Sequence, residues 1–265
     1  MKFLTLEKPT LAEFFKTFVL KKHLDCDFAC NVMVYGPSGV GKSSLALRSV
    51  EAIWEPSKSE LQHIFNEHII YTTNDYYDVL KHVFLSKCDF PVLIYMESRE
   101  IYDARRTMSN LNRELTRIAQ LARAVKRTYN IFCTQRRQDV DVRIRSMVHL
   151  GIRVVRYGLS SGKSTPVFGI PYSTRQLTLD ENEMVPDIYV RIKGDPRWIR
   201  VGSIRWKMPA MFDRFRQIDR EKKIAIIFRE KKEDVEEKKE EKKLQIDFDN
   251  MSLKQLLKKQ LNLQE

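Results

Sequence analysis

Four cysteines in 265 residues are too few for a disulfide scaffold. His23, Cys26 and Cys30 superficially resemble metal ligands. No second pair follows at a finger-like spacing, so buried thiols are the better reading. The longest run without a charge, Phe28 to Gly41, has 14 residues and contains a glycine-rich turn. A membrane-spanning helix needs about 20 apolar residues, so none is expected. The opening MKFLTLEKPTLAEFF has acids inside its apolar stretch and no small-residue cleavage site, which argues against a secretory signal and for the cytoplasm. Glycine and proline are scarce, nine of each, and neither occurs after Pro209. The chain beyond that point therefore lacks turn signals and is expected to be helical.

What is present is a globular composition, 43% hydrophobic, with 47 Lys and Arg against 35 Asp and Glu. The length suffices for a sizeable core. The formal charge of +12 favours a polyanionic partner such as nucleic acid. Much of that excess is local. Residues 101–160 hold 13 bases and four acids, whereas the mixed run 219–243 holds ten bases and nine acids.

Periodicity predicts an alternation of strands and helices. Thr10 and Glu13 form a capping box for a first helix ending near Lys21 and Lys22. FACNVMVY (28–35) reads as a fully buried strand, followed by a glycine-rich turn and a helix from Lys42 to Trp54. A helix at 58–66, a strand at 68–73 and a helix capped by Asn74 and running to Leu85 come next. FPVLIYM (90–96) is a further strand. A long Arg-rich helix over 107–127, a strand at 129–134, a short helix at 139–147 and a strand at 149–157 complete the pattern. Such alternation predicts an α/β fold with a mainly parallel sheet flanked by helices. Residues 160–186 show weak periodicity. IYVRIK (188–193) and WIRVGSIRW (198–206) read as a hairpin. Beyond it lie a charged solvated helix and an amphipathic helix at 252–263, opened by Ser252 and Gln255 and suited to docking a protein partner. The expected division is therefore a domain over 1–207, with core 28–157 and hairpin about 187–206, and a helical charged extension over 208–265.

Gly36-Pro37-Ser38-Gly39-Val40-Gly41-Lys42-Ser43 matches G-x-x-x-x-G-K-[ST] fully, between a predicted strand and a predicted helix. In such a P-loop the glycines let successive N–H groups face a phosphate, and the helix N-terminus, with Ser44 in its first turn as a further cofactor-binding residue, adds unpaired donors. Lys42 suits the β- and γ-phosphates of ATP, and Ser43 suits Mg²⁺. A shorter variant, Gly158-Leu-Ser-Ser-Gly162-Lys163-Ser164, lacks one residue between the glycines and a following helix, and reads as a basic loop.

VLIYMES places Glu97 at the end of a buried strand. In the usual pattern an Asp steadies the magnesium shell and the next residue, Glu, polarises water. Here Met96 stands where that Asp is expected. Either Glu97 acts as base beside a reduced magnesium shell, or it replaces the Asp with a longer arm. Glu100 could be a second acid, and Glu97 could also be a plain strand-end cap or a partner of Arg99. YNIFCTQRR puts Thr134 and Gln135 at the C-terminal end of another strand, where ligands of parallel sheets bind. Gln135 there can sense a γ-phosphate or orient water.

The order GPSGVGKS, VLIYMES, an Arg-containing helix, IFCTQRR and DVDVRIR resembles the FtsK–HerA superfamily of P-loop ATPases over about residues 28–157. Arg137 stands where that family commonly has Pro, and Met96 where it has Asp. The resemblance implies a RecA-like (ASCE) fold and an ATPase that moves or packages DNA. It implies Lys42, Ser43, Glu97 and Gln135 in the roles above and a homo-oligomeric ring, usually a hexamer. It also implies an arginine finger donated between subunits, with Arg123 at the nearest spacing and Arg127 next. Arg105, Arg106, Arg113, Arg117, Arg136, Arg143 and Arg145, with Arg137, are the further candidates for gripping a DNA backbone. Trp198 and Trp206 sit among bases but read as core. A virus or mobile element is the expected context. A replication initiator or helicase loader, and a nucleotide-binding protein that does not hydrolyse, are the alternatives.

Overall fold

The buried run CNVMVY forms strand β1 (Cys30–Tyr35), central in the sheet as its unbroken apolar sequence predicts. The structure, a computed structural model, describes residues 14–21, 29–85, 91–96, 128–156, 167–177, 179, 183–191, 198–226 and 228. The chain divides into two units, Met1–Phe215 and Arg216–Glu265. In the second, residues 216–226 are helical, with Lys223 paired to Asp219 at 3.1 Å one turn away. No helix among the described residues is long and apolar enough to cross a membrane.

The first unit is built on a seven-stranded sheet of order β2-β3-β4-β1-β5-β6-β9. Its parallel members are β2 (Ile69–Ile70), β3 (Val92–Tyr95), β4 (Tyr129–Thr134), β1 and β5 (Leu150–Arg156). Val32 of β1 lies opposite Ile131 on one side and Leu150 on the other. One strand, β4, thus stands between the strand that ends in the glycine loop and β3. This is the RecA-like α/β arrangement.

Helices cover both faces. α1 (Lys42–Trp54) reaches β4, where the Tyr129 hydroxyl donates to Ser49 Oγ at 3.0 Å. Met33, Tyr35, Leu93, Tyr95 and Phe132 take the opposite parity. They form a core with α3 (Thr73–Leu85), α4 (Val142–Ser146) and α5 (Thr174–Leu177). Tyr95 and Phe132 stack there at 4.5 Å between ring centroids. α2 (Lys58–Glu67) opens with a complete capping box, Ser57 and Glu60. It ends on His68, whose fully buried ring holds the Val92 carbonyl with Nδ1 at 2.9 Å. A carbonyl only accepts, so Nδ1 carries the proton. Burial pushes the His68 pKa down to about 4, and the ring is neutral at pH 7.

Several expectations are corrected. The strand expected at 68–73 is only Ile69–Ile70, because Thr72 and Asp75 cap α3. The Asp75 carboxylate accepts from the Thr72 N–H at 3.0 Å, and Thr72 Oγ1 accepts from the Asp75 N–H at 3.3 Å. Asn74 lies inside that helix and is not its cap. At the other end of the chain, Lys16–Lys21 is a π-helix following 14–15. The weakly patterned stretch after 160 contains a strand, β6 (Val167–Ser173), antiparallel to β5. Gly169 is there because a β-carbon would lie 2.8 Å from Ile152 Cγ2. Pro171 is tolerated because β9 (Ile204–Arg205) pairs only with Phe168 and Gly169. The expected hairpin forms from β7 (Tyr189–Arg191) and β8 (Trp198–Arg200). The segment 198–206 is not one strand, however, since its second half leaves to extend the main sheet. The helix expected at 139–147 is split into a 3₁₀ turn, Arg137–Asp139, and α4.

The Tyr129 hydroxyl joins the central sheet to α1 from a fully buried position. Tyr129→Phe should lower stability by about 1 kcal/mol in urea unfolding, with the slope of the transition unchanged.

Candidate nucleotide-binding site

The loop after β1 depends on three glycines with left-handed or related backbone: Gly36 (φ 148°), Gly39 (φ 75°) and Gly41 (φ 105°). Gly36 is fixed between the two neighbours of β1. Its N–H donates to the Gln135 carbonyl at the end of β4, at 3.2 Å. A β-carbon at Gly36 would lie 2.5 Å from the Val154 carbonyl oxygen of β5. Gly41 caps α1 without a side chain, leaving its first N–H groups to the loop.

The Lys42 ammonium is folded into this loop, donating to the carbonyls of Gly36 and Pro37 at 2.9 Å each. Ser44 is buried and donates to the Gly41 carbonyl at 2.8 Å. It accepts in turn from the Trp206 indole N–H at 3.1 Å. Trp206, read from sequence as a core residue on a hairpin, therefore braces the start of α1. Pro37, Ser38 and Gly39 are exposed at the loop's tip, and Val40 is half-buried. A phosphate group fits this arrangement. The loop lies at a helix N-terminus that no side chain caps, and a cation already lies against it.

Ser43 and Met96 meet. The Ser43 hydroxyl donates to Met96 Sδ at 3.6 Å across β4, and Met96 is 2% exposed. The side chain that faces Ser43 from the end of β3 is thus a neutral thioether. Sulfur of this kind is a poor ligand for Mg²⁺, which prefers oxygen. Ser43 Oγ remains a fitting Mg²⁺ ligand, but it has no described carboxylate partner on β3. Glu97, together with Arg99, Glu100, Arg123, Arg127 and the other arginines of 101–127, lies outside the described residues, as do His23, Cys26, the 158–164 loop and the 252–263 segment.

At the end of β4, Thr134 is fully buried and its hydroxyl donates to the Arg136 carbonyl at 3.1 Å. The side chains of Gln135 and Arg136 are exposed. Arg137 is not available to DNA, contrary to expectation. It is 2% exposed, and its guanidinium donates to the carbonyls of Leu177 and Leu179. Arg145 is half-buried, with Nε on the Val140 carbonyl at 3.0 Å. Burial and then the Arg137 charge push its pKa down. Asp141, fully buried, accepts from the Arg143 N–H at 2.8 Å and starts α4. The stretch DVDVRIR is therefore largely a scaffold behind Gln135.

Sheet order, loop and helix together define the α/β fold of a RecA-like P-loop NTPase. No family model matches the chain, and no curated protein matches it. Among solved structures it is similar to the genome packaging NTPase B204 from Sulfolobus turreted icosahedral virus 2. In its complex with AMPPCP that structure is 16% identical, with 47% of this chain and 73% of that one covered and a TM-score of 0.31. In complex with ATP-gammaS the values are 13%, 56% and 94%, and 0.35. It is also similar to the N-terminal domain of zonular occludens toxin from Neisseria meningitidis, at 13% identity, covering 69% and 96%, with a TM-score of 0.40.

The contrast between the two adjacent arginines is testable by denaturation. Arg137→Ala should cost about 2–3 kcal/mol, since it strips two buried carbonyls of a charged donor, while Arg136→Ala should stay within about 0.5 kcal/mol.

Proposed function

We propose that the chain is an ATP-hydrolysing motor that moves DNA, acting in a homo-oligomeric ring, with six subunits favoured. The observation that carries this reading is the order β3-β4-β1, which lines up three strand ends along one edge. They bring Met96, Thr134 with Gln135, and the P-loop into one row. In this reading Lys42 and the loop N–H groups hold the phosphates of ATP, and Ser43 holds Mg²⁺. Bound ATP supplies the phosphoanhydride whose hydrolysis is the energy source. Glu97, one residue beyond Met96, orients and deprotonates water, and its carboxylate is the nearest replacement in sequence for the missing Asp. Gln135 turns its exposed side chain to the γ-phosphate position. Because Gly36 is hydrogen-bonded to the Gln135 backbone, any shift of the loop is felt there. Arg123 is the finger donated to a neighbouring subunit.

The DNA partner is inferred from charge. An excess of nine bases over acids lies in 101–160, the part of the sequence that includes β4, and Arg136 stands exposed beside Gln135. Arginine grips phosphate without reading bases, so binding should weaken steeply with salt. The same reading takes 1–207 as the ATPase domain and 208–265 as a charged extension that docks a protein partner. It places the chain in the cytoplasm of a host cell, with genome packaging or plasmid transfer as its task.

A second reading is favoured by one contact. With Met96 against Ser43, the magnesium site has lost its usual carboxylate, as in a protein that binds nucleotide and does not turn it over.

One assay separates the two: ATPase rate with and without duplex DNA at low salt, for the wild type and Glu97→Gln. The motor reading expects stimulation by DNA, and a fall in kcat of about 10²–10⁴ in Glu97→Gln with ATP binding retained. Absence of turnover on any DNA would leave the non-hydrolysing reading standing and end the first.

A further inference from the structure

Three histidines from separate elements converge at the other edge of the sheet. His63 lies in α2, His68 ends that helix, and His82 lies in the last turn of α3. One ring nitrogen from each lies within 4.8 Å of the others. The Nε2 atoms of His63 and His82 are 3.3 Å apart, and the three ring centroids are separated by 5.2–5.7 Å.

We propose that His63, His68 and His82 form a Zn²⁺ site that clamps α2 to α3. The spacing of one pair fits the ion, and the third ring nitrogen lies within 4.8 Å of both. With Zn–N bonds of about 2.0–2.1 Å, two ligands of a tetrahedron stand about 3.3–3.4 Å apart, which is the separation of the two Nε2 atoms. The tautomer fits as well. His68 gives its Nδ1 proton to the Val92 carbonyl, so its Nε2 carries the lone pair. A backbone carbonyl behind a ligating imidazole is the usual support of a zinc histidine. Imidazole donors suit Zn²⁺ and exclude Mg²⁺ and Ca²⁺, which take oxygen.

The burial gradient sets the form of the site. His68 is fully buried, His82 half-buried and His63 exposed, so the ion sits at the surface with its fourth position open to water. His68 precedes β2, and Val92 begins β3. The parallel strands place this site at their N-terminal ends, whereas the P-loop follows the C-terminal end of β1. The zinc is therefore remote from the phosphates, and its role is to hold two helices against the edge strand. Without it, the Nε2 atoms of His63 and His82 are within reach of a weak hydrogen bond in place of two metal bonds.

The test is zinc titration of the full-length protein at pH 7.5, after chelator treatment, against a chromophoric competitor, with thermal unfolding in parallel. The variants are His63→Gln, whose exposed ring leaves folding intact, His82→Asn, and Lys42→Ala as a control. One Zn²⁺ should bind per chain and raise Tm. His63→Gln and His82→Asn should each weaken binding by at least about a hundredfold and abolish the Tm gain. Lys42→Ala and excess Mg²⁺ should change neither. Absence of zinc binding, or binding that survives both histidine variants and so belongs to other donors such as the cysteines, would overturn the proposal.

Discussion

Gly36 stands where three strands constrain one residue. Its N–H is held by the carbonyl of Gln135 at the end of β4, and on the other side its α-carbon faces the Val154 carbonyl of β5 with no space for a side chain. The P-loop therefore does not hang from β1 alone. It is wedged between both neighbours of that strand, and its φ of 148° is open only to glycine at low cost. Gly41, Lys42 and the first turn of α1 follow from that placement. The Trp206–Ser44 hydrogen bond then fixes the helix start from β6 and β9, the antiparallel addition. These contacts tie the loop, the end of β4 and the antiparallel addition to one another.

The electrostatics of the site are unusual at one point. A buried thioether faces the serine hydroxyl at the place where the usual pattern has a carboxylate. In the proposed site a neutral group there removes a negative charge beside the phosphates, which would favour anion binding and weaken the hold on Mg²⁺. In the proposed motor this shifts the work of placing the cation onto Ser43 and Glu97. Arg137 shows the opposite trade. A charge the sequence assigns to solvent or DNA is spent inside the protein on two backbone carbonyls, behind Gln135.

The central strands were legible because their apolar runs are unbroken and a buried parallel strand needs no alternation. β1, β3, β4 and β5 all fall in segments read as strands, and the P-loop motif gave its own location. β6 was hidden because Gly169 and Pro171 interrupt its pattern. Both are explained only by neighbours, the crowding by Ile152 and the short reach of β9. The split of 198–206 was hidden because each half alternates equally well, and only the pairing partner differs. The histidine cluster had no readable signal. Its members lie at 63, 68 and 82, and they meet only when α2 and α3 pack on the same edge strand. Arg137 was read as a surface residue because buried arginine is rare and nothing local marks it.

In the proposed function the wedged glycine loop and Lys42 make a nucleotide site. Equilibrium titration of ATP into the full-length protein, with Lys42→Ala alongside, tests this most directly. Saturable binding of one ATP per chain is expected, weakened at least about thirtyfold in Lys42→Ala through loss of a charge-assisted contact worth about 2 kcal/mol. Absence of binding, or equal binding by Lys42→Ala, would contradict it.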